Sequence, residues 1–409
     1  MLEVVKCLPV TTRGRIPEGF QKPAQRSQTS GSGIIHRLIR GVAIRLREAR
    51  ITAMKTLFPK LALILATLTA FSSAGETKKL VLISGKPSHP PLMHEFRAGA
   101  LLLEACLKDF SGLKVEVHEN GWVKDESTFA DADAVVIFSD GGGGHPALQG
   151  DHLKTLEGLV AKGVGFGCMH YGVEVPADKG GKEFKKWIGG YYESQFSCNP
   201  IWEPEFKDFP AHPITKGVKP FQAKDEWYFN MRFMGDIAGN EAAKVEGLTF
   251  TPILVATPSD TVRDGPYVHP KGPYAHIQQN KGRAEAMLWS VERPDGGRGF
   301  GFTGGHFHVN WGNDDFRKTI LNTLVWVSKA EVPESGVSSK VAELDLYQNL
   351  DPKNQPLPDD VRKRIEELKA STSTGILPSE EGQRLAVSAI RAQACCVGSG
   401  CAPCCRQLK

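Results

Sequence analysis

Five short strand-like runs constrain this chain most: residues 79–84 (KLVLIS), 113–118 (LKVEVH), 134–139 (AVVIFS), 164–168 (VGFGC) and 299–303 (GFGFT), all but the second apolar and followed by a loop rich in glycine or histidine. Runs of this length and apolarity read as strands buried on both faces. Helical stretches fall at 94–109, 146–162 and 314–330. Strand and helix in alternation imply an α/β domain, with a mainly parallel sheet covered by helices on both sides. The region 187–298 is less regular. Within it 226–233, 252–256 and 284–292 read as strands that extend the sheet, joined by loops on the substrate side.

The polar residues that invite chemistry gather where these strands end. After the first come His89 and His94, and after the third come Asp140, the run Gly141 to Gly144, and His145. The fourth is followed by His170, Tyr171 and Glu174, and the last by His306, His308, Asn310 and Trp311. Open α/β sheets bind ligands at the carboxyl ends of their strands, so one cleft can collect all of these loops. Several imidazoles together with Asp140, Glu174 and Glu226 suit Zn²⁺ or a similar divalent ion. The same residues could instead work without metal as general acid and base. No HExxH motif is present.

Two other chemistries fare worse. The turn GCMHYG resembles a nucleophile elbow, but Cys168 precedes the apex, where His170 stands, and a thiol still inside the strand is inert. The glycines after Asp140 lack the lysine of a phosphate-binding loop and the spacing of a dinucleotide fingerprint, which excludes a nucleotide cofactor from the expectation.

The ends of the chain differ from its body. Residues 1–53 carry ten Lys/Arg against three Asp/Glu, so the net charge of +4 for all 409 residues leaves about −3 for the rest and gives no reason to expect a nucleic-acid partner. From Met54, residues 54–74 (MKTLFPKLALILATLTAFSSA) have lysines, an apolar stretch and a small-residue end, the pattern of a secretory signal peptide. The expectation is export, with 1–53 an over-extended or disordered segment. The eleven-residue, largely apolar stretch 61–71 falls short of the roughly 20 residues of a membrane span, so no stable span remains after cleavage. Cys106, Cys168 and Cys198 are well separated and suggest no disulfide framework. Residues 334–409 read as a polar tail, with a solvated helix at 359–370 and a cysteine-rich end.

The body, 78–333, resembles the ThuA-like (trehalose utilisation) family of the class I glutamine amidotransferase-like superfamily. The resemblance is carried by SGKPSHPPLMHEFRAGALLL, SDGGGGHP, GVGFGCMHYGVEVP, WIGGYYE, HPITKGVKPF, DEWYFNMRF and GGRGFGFTGGHFHVNWGNDDFRKTILNTLVW. It implies a flavodoxin-like three-layer sandwich and a role in sugar catabolism, where relatives are associated with oxidised 3-keto glycosides. It further implies that His94, His170 and His306 ligate metal, that His170, His306 and Glu226 carry catalysis, and that His89, Asp140 and His308 surround them. Amidotransferases place a cysteine nucleophile where this chain has His170, so thiol chemistry is not expected.

A carbohydrate ligand also suits the aromatic loops. Tyr171, Tyr191, Tyr192, Trp202, Trp227, Tyr228 and Trp311 can stack on sugar rings or pack internally, and Asn199, Asn230 and Asn310 can bond hydroxyls. Arg232 either binds a carboxylate or pairs with Glu226 or Asp225. The resulting expectation is an exported, divalent-metal-dependent enzyme acting on keto-glycosides by elimination, hydrolysis or isomerisation, with a homodimer as the ordinary oligomeric state. The alternatives are a non-catalytic carbohydrate- or partner-binding protein, and a metal-dependent amidase or deacetylase acting on sugar substituents.

Overall fold

The computed structural model describes residues 76–235 and 237–374. The segment 1–53, the signal-like 54–74 and the cysteine-rich end lie outside the described residues. The sheet has eight strands: β1 (Lys78–Ser84), β2 (Leu113–His118), β3 (Ala134–Phe138), β4 (Gly165–Met169), β5 (Ala243–Val245), β6 (Leu248–Ala256), β7 (Glu285–Glu292) and β8 (Arg298–Phe302). Their spatial order is β5-β6-β7-β8-β4-β3-β1-β2. The strands β2, β1, β3, β4 and β8 run parallel, and β7, β6 and β5 continue the sheet antiparallel. Taken alone, the parallel part has the flavodoxin-like order, whose reversal point lies between β1 and β3.

Alternation along the strands sends side chains into two cores. On one face Leu80, Leu82, Val136, Phe138, Phe300 and Phe302 pack with helices α1 (Phe96–Leu107) and α4 (Asp314–Val327). On the other, Val81, Ile83, Val135, Ile137, Phe166 and Cys168 pack with α2 (His152–Val160) and α3 (Gly181–Ile188). Burying each such side chain contributes about 1.5–3 kcal/mol. The GFGF pattern of β8 follows from this division: both phenylalanines enter the first core, while the glycines face closely packed groups. A Cβ at Gly299 would fall 2.1 Å from the Trp187 carbonyl oxygen, and one at Gly301 would fall 2.1 Å from the Trp289 ring.

Three sequence expectations need correction. Residues 226–233 do not form one strand. Asp225–Glu226 pairs with Ile201–Trp202, Arg232–Phe233 pairs with Gly190–Tyr191, and between them Asn230 takes a left-handed φ of 57° that breaks the ladder. The helix expected at 146–162 is a short 3₁₀ turn, Pro146–Leu148, then α2, with Gly150 at φ 52° between them. The region after 333 is not simply a polar tail, because Val337 and Leu346 join the core of α1 and α4. Helix α5 (Asp359–Thr374) buries Val361 and Leu368 and is tied down by Arg364 to Glu343 at 2.7 Å. Among the described residues no helix is long and apolar enough to cross a membrane.

Candidate metal centre

The loops after β1, β3, β4 and β8 meet over the carboxyl edge of the sheet, and three imidazoles converge there. His94 precedes α1, His170 forms the turn directly after β4, and His306 follows the Gly304–Gly305 turn after β8. His94 Nε2 lies 3.0 Å from both His170 Nε2 and His306 Nδ1, and the latter two atoms are 3.3 Å apart. Glu226 enters from the two-residue strand Asp225–Glu226, with Oε2 2.8 Å from His306 Nδ1 and 3.6 Å from His170 Nε2. The four side chains are buried, and their donor atoms all lie within 4.8 Å of one another.

Neighbouring acceptors set the tautomers. His94 Nδ1 donates to Asp140 Oδ1 at 2.7 Å, and His170 Nδ1 donates to the Thr303 carbonyl at 3.0 Å. Both Nε2 lone pairs therefore face the same point, an arrangement that repels unless a cation sits between them. Ligands about 2.0–2.2 Å from a tetrahedral ion stand roughly 3.3–3.6 Å apart, close to the spacings here. The donor set thus fits a divalent ion of the zinc type, with Asp140 and Thr303 orienting the ligands from behind. Burial, followed by the neighbouring imidazoles, holds His94 and His170 well below the ordinary histidine value. Burial also opposes charge on His306, yet the charge and hydrogen bond of Glu226, with Asp225 and Asp140, raise it above that value.

The backbone is strained at this point. His94 and His170 both adopt left-handed conformations, φ 46° and 53°, as do His89 and Leu92 in the same loop as His94. Such residues cost of order 1–3 kcal/mol each and persist only where surrounding contacts enforce them. Asp225 holds the neighbouring turn after β8: fully buried, it accepts from the N–H groups of Gly305 (2.7 Å), His306 (3.0 Å) and Phe307 (3.3 Å) and from Asn310 Nδ2 (3.0 Å). Asn199 steadies Glu226 by donating to Oε1 at 2.8 Å. The sequence reading passed over Asp225 and Thr303 as parts of the site; the acid directly before Glu226 was the available signal for the first, and a backbone carbonyl offers none.

His89, Tyr171 and Glu174 are the less buried residues around the centre. His89 is exposed and stacks on His94 with ring centroids 3.5 Å apart. Burial and the charge of Glu226 push the Glu174 carboxyl up to about 7. Burial and the charge of Glu174 push Tyr171 up to about 12. Tyr228 lies deeper, its hydroxyl 3.2 Å from His170 Nε2.

Other candidate ligand contacts are placed elsewhere. His145 is fully enclosed, donating from Nε2 to the Gly172 carbonyl and accepting the Ala147 N–H at Nδ1. Trp227, Trp311 and His308 are buried among protein atoms, so in this geometry they pack rather than meet solvent. Arg232 grips Glu193 through two 3.0 Å hydrogen bonds and lies over Phe196, instead of pairing with Glu226 or Asp225. Asn310 spends its amide on Asp225 and the Lys224 carbonyl. Cys168 is buried within β4, with its thiol pushed up by burial, and is no nucleophile.

A family model described as trehalose utilisation, ThuA, matches residues 89–327. Similar solved structures include a ThuA-like protein from Bacteroides uniformis, at 14% identity and TM-score 0.44, covering 63% of this chain and 93% of that one. Another, from Parabacteroides merdae, has 16% identity and TM-score 0.42, covering 68% of this chain and 100% of that one. No curated protein matches.

Proposed function

We propose, from the premise that this chain belongs to the ThuA (trehalose utilisation) family, that it is an exported enzyme of carbohydrate catabolism which cleaves oxidised, 3-keto glycosides with a divalent ion, zinc fitting the donor set. The observation that carries the reading is the convergence of His94 Nε2, His170 Nε2, His306 Nδ1 and Glu226 Oε2 beneath a rim of the less buried His89, Tyr171 and Glu174. An ion held by these four supplies positive charge that stabilises negative charge developing on a substrate oxygen.

A ketone at C3 acidifies the neighbouring C2–H. His89, partly exposed at the edge of the centre and held below the ordinary histidine value by its partial burial despite the charge of Asp140, presents a neutral imidazole to accept that proton. As the C2–H bond breaks, the C1–C2 double bond forms and the C1–O bond to the leaving group opens. Glu174, its carboxyl pushed up to about 7 by burial, carries a proton in about half of the molecules at neutral pH and delivers it to the departing glycosidic oxygen. Addition of water across the new double bond completes hydrolysis. Tyr171 lines this rim and Tyr228 closes the base beside His170.

The test pairs metal analysis with turnover. Wild-type protein is expected to hold near-stoichiometric metal, lost in both His170→Ala and His306→Ala, and to cleave 3-keto glycosides but not their unoxidised parents. Metal-free wild type after careful loading would sink the metal reading, and turnover of N-acetyl sugars alone would favour an amidase or deacetylase.

A further inference from the structure

Lys353 lies beyond the segment that the family model matches, in a stretch whose sequence reads as polar tail. Its side chain is nevertheless only 4% exposed, and its ammonium sits under the loop that carries His89 and His94. Nζ donates to the carbonyls of Ser88 (2.5 Å), Met93 (3.0 Å) and His94 (3.1 Å). An ammonium has three N–H donors, and all three are spent on backbone of this one loop. The carboxylates of Glu95 and Asp351 stand at 3.8 and 3.9 Å, close enough to balance the charge but outside hydrogen-bonding range. Glu95 in turn accepts the N–H groups of Leu92 and Asp351, both at 2.7 Å, which joins the same loop to the C-terminal segment.

We propose that Lys353 is a positioning residue for the metal centre, latching three carbonyls of the 88–94 loop so that His94 stays on the ion site. The loop needs such a latch because His89, Leu92 and His94 all hold left-handed φ angles, 59°, 67° and 46°, without glycine. A chain segment free to relax would leave that conformation, and His94 Nε2 would move off the common point. The carboxylates are the more distant partners and the loop carbonyls the closer ones. The role in holding an ion rests on the proposed function, whereas the latch on the loop does not.

The test compares wild type with Lys353→Met and Lys353→Arg in two measurements. The first is amide hydrogen exchange of residues 86–95 in metal-free protein, with residues 134–138 of β3 as the internal reference; the second is Co²⁺ titration followed by visible absorption. For Lys353→Met, loop exchange about tenfold or more faster with β3 unchanged is expected, with Co²⁺ affinity weakened at least about tenfold and an altered absorption band. Lys353→Arg keeps the charge opposite Glu95 and Asp351 but offers a planar fork that cannot set one nitrogen on three carbonyls, so it is expected to leave the loop loosened, and it serves alone if the methionine variant does not fold. Unchanged loop exchange in the variants, or full rescue by arginine, overturns the latch. If wild type binds no Co²⁺ the metal reading falls, and loop exchange alone decides on Lys353.

Discussion

His94 and His170 each combine three properties that seldom coincide: burial, a left-handed backbone and a ring nitrogen whose proton is committed to an acceptor behind it. The commitment matters most, because it decides which nitrogen is free. In Asp140→Asn the strongest acceptor for His94 Nδ1–H is lost, and zinc affinity is expected to fall by about 10–100-fold when measured against a competing chelator dye. His145 shows the opposite use of an imidazole. Burial pushes it down to about 4, so as pH falls the unfolded chain takes up a proton near 6.5 while the folded one does not. Its contribution is therefore complete above pH 6.5 and drains away towards pH 4, by roughly 3 kcal/mol. Chemical denaturation of metal-free protein across that range is expected to show the stability gap between wild type and His145→Gln narrowing as pH falls; a constant gap would contradict this.

The elements are arranged so that the residues with chemistry fall just beyond the strand ends rather than within the strands. Strand β8 illustrates this, since its phenylalanines fill one core, its glycines admit Trp187 and Trp289 on the other side, and the histidine arrives only after the strand has ended. Two glycine-to-alanine changes should therefore have opposite signs. Gly299→Ala places a methyl 2.1 Å from the Trp187 carbonyl, a backbone atom at the end of α3, and is expected to cost about 1–3 kcal/mol or more. Gly158 lies on the exposed side of α2 with nothing within 4 Å of its would-be Cβ, so Gly158→Ala is expected to stabilise by up to about 1 kcal/mol. Denaturant midpoints of the two variants would decide, and equal shifts would refute the account of β8. The runs at 79–84, 134–139, 164–168 and 299–303 are legible as strands because two-sided burial removes polar residues from them, whereas 113–118 is the edge strand and alternates apolar with polar residues. The two-residue pieces around 226–233 are not legible, because their pairing depends on distant partners such as Tyr191 and Ile201.

For the molecule as a whole, the C-terminal segment is part of the domain. Val337 and Leu346 complete the core against α1 and α4, and Lys353 reaches the centre from the same side. A chain ending at residue 333, where the sequence suggests a boundary, is expected to be about 3–6 kcal/mol less stable than one ending at 374, through the loss of these two buried side chains. Urea unfolding of both chains is the measurement, and matching midpoints would return the segment to the status of a tail.

The sequence by itself determined the layered α/β architecture and the strand ends that carry His94, His170 and His306, because local apolar patterning and chain order suffice for both. It also pointed to Glu226, through the family likeness of the DEWY motif. Only the tertiary structure decided which atoms meet. The tautomer set by the Thr303 carbonyl, the carboxylate of Asp225 under the β8 turn, and Lys353 beneath the His94 loop are contacts between residues far apart in the chain. Local pattern records how a segment folds against an apolar face. It does not record which distant polar group will be waiting there, because each such partner is fixed by the packing of the whole sheet.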